Sequence, residues 1–251
     1  MRIIDINTMI GSMPEKLRYL DAGSLVAQMD SYRITSCVAY SSTAIWSPAR
    51  GNSEVMEAAK ACHGRIRPCL VIDPALEANN IKGEGTLAKK LCMERPSAIK
   101  LFPKKSEYIL DEFYCGTLLE TLNELRMPVL LDEDQISSYQ RIPQLARIFP
   151  DIKFVLLRQG FRMSRYIMPI LEKLENVYFD TSIMIDTGII EEIVRRFGSG
   201  RLVFGSGMPR YVPAGGLSLI LYSDVNENDR ENILSLNWER MEGGIRYGNQ
   251  G

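Results

Sequence analysis

The chain has 251 residues, 45% of them hydrophobic and 24% charged, with 30 Lys+Arg against 31 Asp+Glu for a formal net charge of -1. A chain of that length buries a sizeable core without disulfides or a structural metal. Its charge balance argues against broad electrostatic capture of nucleic acid or of an anionic membrane.

No apolar run approaches the roughly 20 residues of a membrane span. The acidic Asp5 close to the start does not suit a secretory leader. The five cysteines, Cys37, Cys62, Cys69, Cys92 and Cys115, form no C-x-x-C pair. They read as small buried hydrophobes of a reducing cytoplasm, which is the expected location. The single histidine, His63, excludes any metal site or triad that needs two.

No linker divides residues 1–251, so one domain is expected. Short β-branched or apolar runs begin near Arg2, Ile34, Ile66, Ser97, Pro128, Ile152, Val177 and Arg201. A helical pattern follows each, at the roughly 24–33 residue spacing of a βα unit. Asp21 can cap a helix over about 23–32. Asn52 or Ser53 can cap a second over 54–63, with Gly64 as its stop. A short third helix fits about 86–93, and Asp111 opens a fourth through Leu125. The fifth is expected over 135–148 with Asp134 as cap, the sixth over 164–174 and the seventh over 187–197, ended by Gly198. Two more follow, near 216–222 and 227–241. Eight consecutive units predict an α/β fold of the (β/α)₈ TIM-barrel type rather than an open doubly wound sheet. No G-x-G-x-x-G or G-x-x-x-x-G-K-[ST] follows any run, which argues against dinucleotide and NTPase readings.

A barrel of this kind does its chemistry at the carboxyl ends of its strands. That rim should carry Asn7 and Met9, Tyr40 to Ser42, Asp73, Lys100 and Phe102, Asp132 to Asp134, Arg158 and Gln159, Asp180 to Ser182, and Gly205 to Gly207 with Arg210 beyond. Asp132 and Asp180 are the candidate general base and acid. Lys100 is a candidate anion binder or Schiff-base lysine, and equally the structural ion-pair partner of Asp132. Arg158 and Arg210 suit bidentate binding of an anion. The backbone of Gly205-Ser206-Gly207 suits a small anion nest. Trp46, in a loop long enough to fold over the mouth, would stack on a planar ligand or cover apolar surface.

The rim segments resemble the amidohydrolase-related group of metal-dependent hydrolases and decarboxylases. Ile4-Asp5-Ile6-Asn7-Thr8-Met9-Ile10-Gly11 resembles that family's opening I-D-x-H-x-H-x-G. Ala98-Ile99-Lys100-Leu101-Phe102-Pro103 resembles its G-[VI]-K-L-[HF]-P, and Met127-Pro128-Val129-Leu130-Leu131-Asp132 its [LM]-P-V-x-x-H. Phe154 to Gly160 resembles the segment that supplies another histidine. Asn176 to Ser182 is similar to N-V-Y-x-D-x-S, and Arg201 to Pro209 to R-[LI]-L-F-G-S-D-x-P. The resemblance implies a TIM barrel and small-molecule chemistry.

Its metal ligands are not matched. Asn7, Met9, Asp132, Arg158 or Gln159, and Gly207 stand at the ligand positions. The family's metal, typically zinc, is therefore not expected, and no other cofactor is. The expected partner is a small, anionic or lactone-like molecule, bound by Asn7, Arg158, Gln159, Ser206, Arg210 and Trp46 and acted on by Asp132, Lys100 and Asp180. Neither nucleic acid nor membrane is expected, and a homodimer is compatible with the sequence. Two alternatives stand beside this reading: a catalytically inactive barrel that binds a ligand or a protein, and a barrel enzyme that grips phosphate at Ser206.

Overall fold

The computed structural model describes residues 1–13, 18–74 and 86–248. Nine strands form one sheet: β1 (Ile4–Met13), β2 (Arg18–Leu20), β3 (Ser36–Ser41), β4 (Ile66–Val71), β5 (Ala98–Lys100), β6 (Pro128–Asp132), β7 (Lys153–Leu157), β8 (Val177–Asp180) and β9 (Leu202–Val203). The spatial order is β2-β1-β3-β4-β5-β6-β7-β8-β9. Every pair is parallel except β1–β2, a short antiparallel flap on one edge. The sheet closes on itself. Ile6 N–H donates to the Phe204 carbonyl at 3.0 Å, and Met9 N–H donates to the Met208 carbonyl at 3.1 Å. All eight expected strands are present; only the β2 flap was not foreseen.

Strand alternation sorts the core into two layers. Inward-facing Ile4, Ile6, Val38, Cys69, Ala98, Leu130, Val155, Leu157 and Val203 pack with Trp238 and Met241 of the last helix. The other parity, including Ile99, Val129, Leu131, Phe154 and Phe179, packs under the surrounding helices. Runs buried on both faces explain why the strand segments are almost uniformly apolar.

The helices are α1 (Ala22–Ser31), α2 (Pro48–Ala61), α3 (Leu87–Glu94), α4 (Glu112–Glu124), α5 (Arg141–Ile148), α6 (Ser164–Lys173), α7 (Ile189–Phe197), α8 (Pro213–Leu221), α9 (Glu227–Glu231) and α10 (Asn237–Gly243). A π-helical turn, Asn232–Leu236, joins the last two into one rod. Asp21 and Asp111 cap α1 and α4 as expected, accepting from Ser24 N–H and Tyr114 N–H.

Two starts differ from the sequence reading. Helix α2 begins at Pro48, whose fixed φ suits the first helical position. Asn52, expected as a cap, lies inside that helix and clamps β4, donating to the Val71 carbonyl at 2.8 Å and accepting from Val71 N–H at 2.9 Å. Helix α5 begins at Arg141 instead of near Gln135, because Ile136 is extended and only one 3₁₀ turn, Glu133–Gln135, precedes it. Asp134 is thereby freed from capping. No helix among the described residues is long and apolar enough to cross a membrane.

Candidate functional site

Strand parity aims the first two groups. Lys100 lies two residues beyond Ala98 and Asp132 two beyond Leu130, so both project into the barrel mouth. They meet there. Lys100 Nζ lies 2.9 Å from Asp132 Oδ2, with the two side chains 2% and 8% exposed. The ammonium also sits over the rings of Tyr40, at 4.8 Å, and Phe102, at 5.6 Å. A buried charge is tolerated only when paired, and this one has a carboxylate and two aromatic faces.

Arg158 arrives by another route. The residue after inward-facing Leu157 should point outward, leaving Gln159 to face the mouth. Instead Arg158 adopts φ 59°, a left-handed state uncommon for a side chain of this size. The turn exchanges the two. Arg158 Nε reaches Asp132 Oδ1 at 3.0 Å and its terminal amino group reaches Asp134 Oδ1 at 2.7 Å. Gln159 is fully buried elsewhere, donating to the Leu157 carbonyl and accepting from the Tyr139 hydroxyl at 2.7 Å. Asp132 is thus gripped by one cation on each oxygen. Burial works to raise its pKa, but Lys100 and Arg158 together outweigh it and hold the carboxyl below the ordinary carboxylate range.

The opposite side of the mouth is built on acids without cations. A register shift in β1 between Asp5 and Thr8 places Asn7 inward directly after Ile6. Asn7 Nδ2 donates to Asp180 Oδ2 at 2.8 Å, and the other oxygen of Asp180 accepts from Arg158 backbone N–H at 2.6 Å. Asp180 therefore holds the left-handed turn in place from beneath the cleft and does not line it. Gly205 makes room for this contact: a β-carbon there would lie 2.5 Å from Asp180 Oδ2 and 2.8 Å from Asn7 Cβ.

Asp5, which the sequence reading left in its strand, is fully buried. One oxygen accepts from Asn7 N–H at 3.2 Å and Ser206 N–H at 2.8 Å, while the other has no partner among the described residues. Burial pushes Asp5 up to about 7 and Asp180 up to about 6. Ser206 is also buried; its N–H serves Asp5 and its Oγ accepts from Met208 N–H. The expected anion nest is therefore already filled by the protein's own carboxylate.

The cleft is lined by Asn7, Thr8, Met9, Tyr40, Lys100, Lys105, Asp132, Arg158, Gly207, Met208 and Arg210, and holds about 30 Å³. That is room for only a few waters, at about 10–15 Å³ each. Of the sequence candidates it gathers Asn7, Lys100, Asp132, Arg158 and Arg210. Lys105, in the loop after β5, was missed; nothing in its surroundings in the sequence singles it out from Lys104. An outer chamber of about 460 Å³ continues from the cleft through Met9, Tyr40, Lys105 and Arg210 to Ile45, Trp46 and Arg50. Trp46 is 80% exposed on its wall.

A divalent cation does not fit these groups. Among the described residues no three of His, Cys, Asp or Glu converge on a point. The one carboxylate of the cleft is held between two cationic heads, and the Met9 sulfur accepts from the Tyr40 hydroxyl at 3.3 Å. A metal ion would need deprotonated donors facing it and would meet Lys100 and Arg158 instead.

Residues 41–241 match the amidohydrolase family model. No curated protein matches the sequence. Among solved structures, an uncharacterized TIM-barrel protein from Bordetella bronchiseptica superposes with a TM-score of 0.76 at 16% identity, covering 97% of this chain and 99% of its own. A dihydroxybenzoic acid decarboxylase from Polaromonas sp. JS666, with bound manganese and the inhibitor 2-nitroresorcinol, gives 0.72 at 15% identity, with coverages of 96% and 97%. A 4-oxalomesaconate hydratase from Rhodopseudomonas palustris gives 0.69 at 16% identity, with 96% of each chain covered. At these identities the structures speak for the TIM-barrel fold alone.

Proposed function

The chain belongs to the amidohydrolase family, and from that premise we propose that it acts on a small anionic compound without a divalent metal. The observation that carries the reading is the lining of the cleft: Lys100, Lys105, Arg158 and Arg210 surround a single carboxylate, Asp132. The 30 Å³ cleft admits only a small head group, so the body of the ligand rests in the outer chamber against Tyr40, Ile45 and Trp46. The anion contacts Lys105 and Arg210, which line both spaces.

Catalysis follows if the incoming anion draws Arg158 from Asp132, with Asp134 keeping its second hold on the guanidinium. Asp132 Oδ1 is then open to take a proton from a water that attacks an acyl carbon, while Lys100 keeps Oδ2. A carboxylate held below its ordinary range is a weak base. The reading therefore favours strained or activated acyl groups, such as lactones, or a decarboxylation that needs no base. A second reading, a barrel that binds such an anion without turning it over, draws on the fact that both oxygens of Asp132 and both of Asp180 already have partners.

Dihydrocoumarin and 2,6-dihydroxybenzoate serve as test compounds, assayed with EDTA and again with added Mn²⁺ or Zn²⁺. The first reading expects turnover of at least one, unchanged by EDTA, with hydrolysis of dihydrocoumarin lost in Asp132→Asn. Turnover that appears only with added metal overturns metal independence. No turnover, with 2,6-dihydroxybenzoate binding weakened about tenfold in Arg210→Ala, selects the second reading. Neither turnover nor binding rejects both.

A further inference from the structure

Outside the mouth, the segment after β5, the segment after β6 and the first turns of α5 enclose a separate cavity of about 280 Å³. Its walls are mostly apolar: Ile109, Leu110, Leu131, Ile136, Ile142 and Leu145. A space of that size is near the lower bound of small-molecule pockets, which run from roughly 300 Å³ upward. Five polar residues, Tyr108, Gln135, Ser137, Ser138 and Arg141, break the apolar lining. Tyr108 is a wall residue whose hydroxyl is buried beside the Phe102 backbone, with no acceptor for its proton among the described residues. Burial drives its pKa upward, so it remains a neutral phenol with a proton to donate. Ser137 lies exposed at the edge. Arg141 is half exposed and joined only loosely, at 3.6 Å, to Asp111. A buried hydroxyl with no acceptor for its proton is unfavourable, and a ligand atom accepting that proton would offset the loss.

We propose that this cavity is a second binding site, for a small apolar compound carrying one carboxylate or carbonyl oxygen. Its ring or branched chain lies among Ile136, Ile142 and Leu145, and its oxygen meets Tyr108 or Arg141. The site stands independently of the mouth, but one hydrogen bond joins their walls. Lys105 N–H donates to Gln135 Oε1 at 3.1 Å, and Gln135 lines this cavity while Lys105 lines the cleft. An occupant accordingly presses on the outer side of the segment that presents Lys105.

The test uses 4-phenylbutyrate and its neutral amide as probes, titrated into the whole chain with methyl resonances of isoleucine and methionine observed. Ile136 and Ile142 methyls shift in a saturable manner with 4-phenylbutyrate. Ser137→Trp, which closes the edge without touching the buried wall, abolishes those shifts. Arg141→Gln weakens the acid about tenfold and leaves the amide unchanged. The proposal is overturned if Ile136 and Ile142 stay still to millimolar probe, or if only the Met9 methyl moves, which assigns the acid to the mouth. It is equally overturned if Ser137→Trp leaves the shifts intact, or if the same methyls shift with protein concentration alone, which makes this face a contact between two copies of the chain.

Discussion

The mouth of the barrel and the layer beneath it hold three buried aspartates, and the two sides treat them in opposite ways. On the β5–β7 side, Asp132 lies between Lys100 and Arg158 and is held below the ordinary carboxylate range. On the β1–β8–β9 side, Asp5 and Asp180 meet only uncharged amide and hydroxyl donors and are pushed up to about 7 and about 6. Burial acts upward on all three. The difference lies in whether a full positive charge or a dipole faces the carboxylate, and only the former outweighs desolvation.

The strongest way to break the contrast is Asp132→Ala. It strands Lys100 and Arg158 without their shared anion, and chemical denaturation should show a loss of about 3–5 kcal/mol. The double variant Asp132→Leu with Lys100→Met removes both charges of the buried pair and should recover much of that loss. If the two substitutions simply add, the pair is not coupled as described.

The acid side should reveal itself through pH. Asp5 and Asp180 bind protons in the folded chain over a range, from about 4 upward, where the unfolded chain has released them. Stability from these two groups is therefore present at low pH and is lost as pH rises toward 6 and 7, by up to about 1.4 kcal/mol per pH unit for each. Asp132 has the opposite sign and withdraws stability only as pH falls below the ordinary carboxylate range. Asp5→Asn keeps the acceptor for Asn7 and Ser206 and mimics the protonated acid. Its unfolding free energy should decline less steeply than the parent's between pH 5 and 6, where Asp180 still titrates, and be nearly flat between pH 6 and 7; an unchanged slope would show that Asp5 is not the titrating group.

The smallest expected effect belongs to the outer chamber. Trp46→Ala removes an exposed ring and should alter stability by less than about 0.5 kcal/mol. Affinity for 2,6-dihydroxybenzoate should nevertheless fall, because the chamber loses part of its wall. A calorimetric titration that finds the affinity unchanged makes Trp46 a mere cover for apolar surface.

The two sides also differ in how far they were legible in the sequence. Lys100 and Asp132 sit on regular strands, so the period-two pattern that marks the strands also marks which way these residues face. Their pairing was one of the readings the sequence left open. Asn7 and Arg158 depend on departures from that pattern, a register shift in one case and a left-handed residue in the other, and neither has a local signature in Ile6-Asn7 or Leu157-Arg158. Position 158 or 159 could therefore not be chosen in advance. The anion nest expected at Gly205-Ser206-Gly207 could not be judged from sequence, because a backbone turn that looks open to an anion there is closed by the Asp5 carboxylate some 200 residues away in the chain. The helix start at Arg141 was missed for the same kind of reason: Asp134, a good cap by type, is held by Arg158.

The left-handed residue at 158 carries one more implication. It works as a selector, showing one of two neighbouring side chains to the ligand and hiding the other. Exchanging the residues, as Arg158→Gln with Gln159→Arg, would not merely move the charge one place along. It would deliver a neutral amide to the cleft and drive a guanidinium into the apolar wall beside Tyr139. The charge of the mouth is thus written in a single backbone torsion as much as in the side chain that the torsion displays.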